Sequence, residues 1–165
     1  MKKLFNIFNI IEKENIILEE IDLTSASLDG IYIKIPHISP TIGINKSIVN
    51  NSRKCISILS EELGHHFTTF GNLTKESLSY SHKLIKNKKE LKARLWAANF
   101  LISDKEFVQA LNDCITSIPE MADYFNVTEE IIVYKIYSVT LDEPKYKTIR
   151  NNFMQREIPY NSCVI

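Results

Sequence analysis

Between residues 60 and 72 the chain reads SEELGHHFTTFGN, which gathers Glu61, Glu62, His65 and His66 into a single turn and a half. Glu61 and His65 stand four apart. On a helix advancing about 100° per residue their side chains leave the same side of successive turns. That is the spacing by which two residues of one helix hold one metal ion. Glu62 lies one position round, where a carboxylate takes the proton of a water acidified by a bound ion. With His in place of Glu61 the stretch would contain H-E-x-x-H, the zinc-peptidase pattern. The same residues also suit an exposed Glu–His pair worth a few tenths of a kcal/mol, and spacing alone leaves both readings open.

A peptidase metal site takes three protein ligands and keeps one position open. The segment KKELKARLWAANFLISDKEF offers a second helix, with Glu90 at its start and Ala93, Ala97 and Ala98 small enough for close helix approach. Taken alone, Glu90 also reads as a favourable first-turn carboxylate at a helix's positive end. Gly64 costs about 1 kcal/mol against Ala in a helix interior, which a closely approaching backbone or substrate would explain.

The surrounding pattern indicates what must carry these residues. Ile56, Leu59, Leu63, Phe67 and Phe70 form an apolar stripe, and Ile58, Glu61, Glu62 and His65 form a second stripe roughly opposite. Asn51 or Ser52 caps this helix, and Gly71–Asn72 closes it. Residues 3–20 read as a first helix with a break near Asn15. A strand with Ile31, Ile33 and Ile35 turned inward follows the Asp29–Gly30 turn, and a second strand runs from Thr41 to Asn45. The helix bearing Glu90 runs to Ser103, and another spans Lys105 to Asp113. Two more flank a tight turn at Asn126, with Thr128 as a cap. After Pro144 periodicity is weak.

Lys plus Arg equals Asp plus Glu, 20 against 20, so no global field draws the chain to nucleic acid or membrane. Three cysteines without paired spacing indicate reduced thiols and a cytoplasmic setting. The N-terminal apolar run is interrupted by Asn6, Asn9, Glu12 and Lys13, unlike a signal peptide. No stretch approaches the length of a membrane span.

ILSEELGHHFTTFGNL followed by KELKARLWAANFLISDKEFVQAL resembles the ImmA/IrrE metallopeptidases, in which H-E-x-G-H precedes a helix of the form E-x-x-A-x-x-F-A-x-x-L-L. Phage-type members end with a segment similar to MADYFNVTEEIIVYKI. The likeness covers residues 30 to 140. It implies Glu62 as the catalytic glutamate, His65 as a metal ligand and Glu90 as the downstream acidic ligand. Glu61 occupies the position of the first histidine, so the implied set is Glu61, His65 and Glu90. One imidazole and two carboxylates make a harder, more anionic site, with a less acidic bound water, for zinc, manganese or iron.

The expected fold is α+β and mostly helical: a small antiparallel sheet beside a zincin-like helix pair, followed by a C-terminal helical segment. The expected divisions are a metallopeptidase-like core at 1–113, a helix-turn-helix-like extension at 114–143 and a tail at 144–165, forming one compact unit. The resemblance implies a divalent-metal endopeptidase acting on a repressor-type regulator of a phage or mobile element. The alternative is a metal-poor pseudo-peptidase that binds such a regulator without cutting it. A DNA-reading role is disfavoured because the would-be recognition helix begins Thr128-Glu129-Glu130, which repels phosphate. The lysines at 83, 86, 88, 89 and 92 read as a solvated run.

Overall fold

A computed structural model describes residues 2–69 and 80–154, with the backbone alone at 80–85 and 154. The chain divides into two compact units, Met1–Ala97 and Ala98–Ile165. Among the described residues there are seven α-helices and three strands, in agreement with a mostly helical α+β fold.

In the first unit, helix α1 (Lys2–Lys13) buries Ile7 and Ile11. Asn15 then adopts a left-handed conformation, φ 51°, which an asparagine tolerates and a helix cannot continue through. The residues beyond it, read from sequence as more helix, form strand β1 (Ile17–Ile21) instead. Strand β2 (Gly30–Ile33) and strand β3 (Thr41–Asn45) complete a sheet ordered β1-β3-β2. β3 runs parallel to β1 and antiparallel to β2, so the sheet is mixed rather than antiparallel. The long connection from β1 to β3, which carries β2, makes the parallel pairing possible. Ile42, Gly43, Ile44 and Asn45 are all buried, as a central strand requires. On β2 it is Tyr32 that is buried, while Ile31 and Ile33 are half-buried and Ile35 beyond them is exposed.

Helix α2 (Ser52–Thr68) begins where the Asn51 side chain accepts from Lys54 N at 3.1 Å. It packs on α1, β2 and β3 through Ile56, Leu59 and Leu63. Phe67 leaves this stripe: it is exposed and stacks on Trp96, ring centroids 4.9 Å apart. Phe70 and the Gly71–Asn72 stop lie outside the described residues. Helix α3 (Tyr80–Leu101) starts well before Glu90. Its early turns, KLIKNKK, have helix-forming residues but no apolar stripe to reveal them.

In the second unit, α4 (Asp104–Asn112) and α5 (Ile118–Phe125) each open with a capping box, Ser103 with Glu106 and Ser117 with Glu120. Asn126, left-handed at φ 50°, turns the chain into α6 (Glu129–Thr140), with Thr128 at the N-cap position. The segment after Pro144 is more ordered than its periodicity suggests, since α7 (Glu143–Met154) packs on α4 and α6.

Helix α6 buries Lys135 and Ser138 beside Ile131, Ile132 and Val139, and leaves Ile136, Tyr137 and Leu141 exposed. The fully buried Lys135 ammonium donates to Asp104 Oδ1 at 2.6 Å and Asn99 Oδ1 at 2.9 Å. Lys145 reaches the same two oxygens at 3.1 and 2.7 Å. These hydrogen bonds make the burial of a charge tolerable. Cys114 takes part in a disulfide, so the reading of reduced thiols holds for Cys55 and is corrected at Cys114. No described helix is long and apolar enough to cross a membrane.

Candidate metal centre

The site begins with a backbone contact between α2 and α3. A Cβ built on Gly64 would overlap the Ala93 carbonyl oxygen and stand 2.8 Å from its carbon. Ala93 and Ala97 are fully buried. The glycine therefore offsets its helix cost by letting the two main chains touch.

That crossing brings Glu61, His65 and Glu90 together. One ligand atom from each lies within 4.8 Å of the others. His65 Nε2 is 3.4 Å from Glu90 Oε2. Tetrahedral zinc with bonds of about 2.0–2.2 Å spaces its ligand atoms by about 3.3–3.6 Å, so this edge already has the dimension of a metal site. The donor set, one imidazole nitrogen and two carboxylates, suits a divalent cation. Thr69 Oγ1 stands 3.5 Å from His65 Nδ1, at the far limit of hydrogen bonding, on the ring edge opposite Glu90.

The electrostatics match this convergence of charge. Burial alone would lower the His65 pKa, but the hydrogen bond to Glu90 and the fields of Glu62, Glu90 and Glu61 raise it. Glu90 is lowered by its hydrogen bond to His65. Glu62 is buried, and that desolvation pushes its pKa up to about 8, with Glu61 and Glu90 adding to the rise. Its carboxylate is backed by β2: a Cβ on Gly30 would lie 2.8 Å from Glu62 Oε1 and 2.5 Å from Ile58 Cγ2. On the second stripe of α2, Ile58 and Glu62 thus face the sheet; Glu62 and His65 are buried, while Ile58 and Glu61 are half-buried.

His66 points elsewhere. Its Nδ1 is 2.8 Å from the Tyr32 hydroxyl and its Nε2 is 3.5 Å from Glu14 Oε2, so it joins α2 to β2 and to the turn that follows α1. Burial pushes the Tyr32 phenol up to about 12, which keeps it protonated. His37 is exposed, with φ 67°, and the His82 side chain lies outside the described residues.

Arg94 was missed in the sequence. Its Nε donates to Glu61 Oε1 at 2.7 Å. The signal was available, since Arg94 follows Glu90 by four residues as His65 follows Glu61. Gly30, read only as part of a turn, had no signal for its contact with Glu62.

A buried carboxylate beside a Glu-His-Glu cluster, on two crossing helices against a small sheet, is an arrangement that metallopeptidase chemistry could use. Residues 11–137 match the IrrE N-terminal-like domain, a peptidase family, and the chain belongs to it. No curated protein and no solved structure gave a match.

Proposed function

We propose that the chain is a metal-dependent endopeptidase in which Glu61, His65 and Glu90 hold a divalent ion and Glu62 is the general base. The observation that carries this reading is the convergence of those three ligand atoms within 4.8 Å beside a buried carboxylate. A bound divalent ion supplies electrostatic polarisation of the scissile carbonyl and acidifies water. Glu62 takes a proton onto its carboxylate from the attacking water and delivers it to the leaving amine. In the metal-free chain burial favours the protonated form of this carboxylate, and a divalent cation beside it would favour the ionised form that a base needs. Gly30 leaves the space that the Glu62 carboxylate occupies, and Thr69 Oγ1, 3.5 Å from His65 Nδ1, is placed to steady the ring at most weakly. The family resemblance supports a repressor-type regulator of a phage or mobile element as substrate, with a cytoplasmic site of action. The exposed Glu129 and Glu130 at the start of α6 argue against nucleic acid as a partner.

One observation favours a second reading. Arg94 satisfies Glu61 without any ion, as would suit a pseudo-peptidase that binds its regulator and does not cut it. Metal analysis separates the two. Stoichiometric metal, with peptide cleavage lost in Glu62→Gln and by chelation, supports the enzyme. A metal-free protein whose biological activity survives Glu62→Gln rules it out.

A further inference from the structure

Glu61 is where the ligand set departs from two histidines and a carboxylate, and Arg94 stands directly against that departure. On α2, Glu61 precedes His65 by one turn; on α3, Arg94 follows Glu90 by one turn. The crossing therefore sets His65 against Glu90, at 3.4 Å, and Glu61 against Arg94, at 2.7 Å. The Gly64–Ala93 main-chain contact holds the two helices at this separation. The pair is partly withdrawn from water, with side-chain exposures of 15% for Glu61 and 32% for Arg94.

Counting charge makes the relationship specific. Two neutral imidazoles and one carboxylate carry one negative charge. Glu61, neutral His65 and Glu90 carry two, and Arg94 returns the total to one. A guanidinium keeps its charge at every accessible pH. A carboxylate offers two oxygens and about four lone-pair sites, so the bond to Arg94 does not exhaust Glu61 as a ligand.

We propose that Arg94 is a charge-compensating positioning residue, which makes Glu61 and the guanidinium act together as the neutral group that a first histidine would be. The proposal rests on the metal-site reading for its purpose, yet it also makes a claim about the metal-free protein. Without Arg94 the carboxylates of Glu61, Glu62 and Glu90 converge with less counter-charge. With Arg94 but without Glu61, the guanidinium keeps its charge beside the ion and faces one carboxylate fewer.

Zinc affinity, measured on the full chain by competition with a chromophoric chelator, tests this in four proteins: the parent, Arg94→Gln, Glu61→His and the double variant. In the Glu61→His background, Arg94→Gln is expected to tighten zinc binding about tenfold more than it does in the parent. An equal effect in both backgrounds overturns the proposal. Thermal unfolding of the metal-free proteins gives an independent readout. Glu61→Gln and Arg94→Gln are each expected to lower Tm, and the pair to lower it by less than the sum. Additive losses overturn the proposal. Arg94→Lys keeps the charge and is expected to stay near the parent in both assays; behaviour like that of Arg94→Gln would refute a charge role. If no protein takes up zinc, the metal-site reading fails, while the metal-free comparison still decides the role of Arg94.

Discussion

His65 Nε2 and Glu90 Oε2, carried by two different helices, stand 3.4 Å apart, the separation of two ligands on one tetrahedral ion. The contact needs no ion to form, because the imidazole and carboxylate attract one another as they are. The two side chains are therefore already together in the metal-free protein, and an ion held by both would not have to order them.

His65→Asn and Glu90→Gln are each expected to weaken zinc binding by at least about 100-fold, beyond the ~10–100-fold loss typical of an outer partner. Thr69→Val is expected to fall within that smaller range. Chelator competition measures all three. Unchanged affinity in both ligand variants would place the ion elsewhere.

Glu62 makes stability depend on pH. Its folded pKa, about 8, lies above the ordinary carboxylate value of 4.5. Between the two, the folded chain holds a proton that the unfolded chain releases, so stability falls as pH rises through that window. Denaturant unfolding of metal-stripped protein from about pH 5 to about pH 8.5 is expected to show this decline. Glu62→Gln should flatten it, and an identical slope in the variant would refute the assignment.

Gly64→Ala sets two effects against each other. Alanine gains about 1 kcal/mol of helix propensity. Its methyl would meet the Ala93 main chain, which cannot swing aside like a side chain, and overpacking costs about 1–3 kcal/mol. A lower Tm together with weaker zinc binding is expected. A higher Tm with zinc binding intact would show that the helices do not approach so closely.

The buried lysine of α6 predicts an asymmetry. Asp104→Ala leaves the fully buried Lys135 ammonium without its carboxylate and is expected to cost about 3–5 kcal/mol. Lys135→Met leaves Asp104 half-exposed and still paired with Lys145, so its cost should stay within about 1 kcal/mol. Equal losses from the two, read by denaturant unfolding, would contradict this account.

The sequence was most informative where chemistry and periodicity coincide. The i, i+4 spacing of Glu61 and His65, the small residues around Ala93 and a cap at Asn51 or Ser52 are local signals; the fold keeps the first two and selects Asn51 for the third. What it hid depends on partners distant in sequence. Spacing leaves the face of Glu62 open to either an exposed pair or a metal site, and it is the arrival of β2 at Gly30 that buries the carboxylate. β1 was read as helix because Ile17 and Leu18 continue an apolar spacing, whereas one left-handed residue, Asn15, resets the chain. Phe67 fits the core stripe by angle, yet it lies near the C-terminal end of α2, where it stacks on Trp96 and stays exposed. The early turns of α3 escaped notice because a polar helix has no stripe to detect.

The meeting of Gly64 with Ala93 has a consequence for how such a protein changes over time. Main chain touches main chain there, so the spacing among positions 61, 65, 90 and 94 is independent of which side chains occupy them. Exchanging Glu61 and Arg94 for an imidazole and an uncharged neighbour therefore takes two substitutions and leaves the Gly64–Ala93 contact in place.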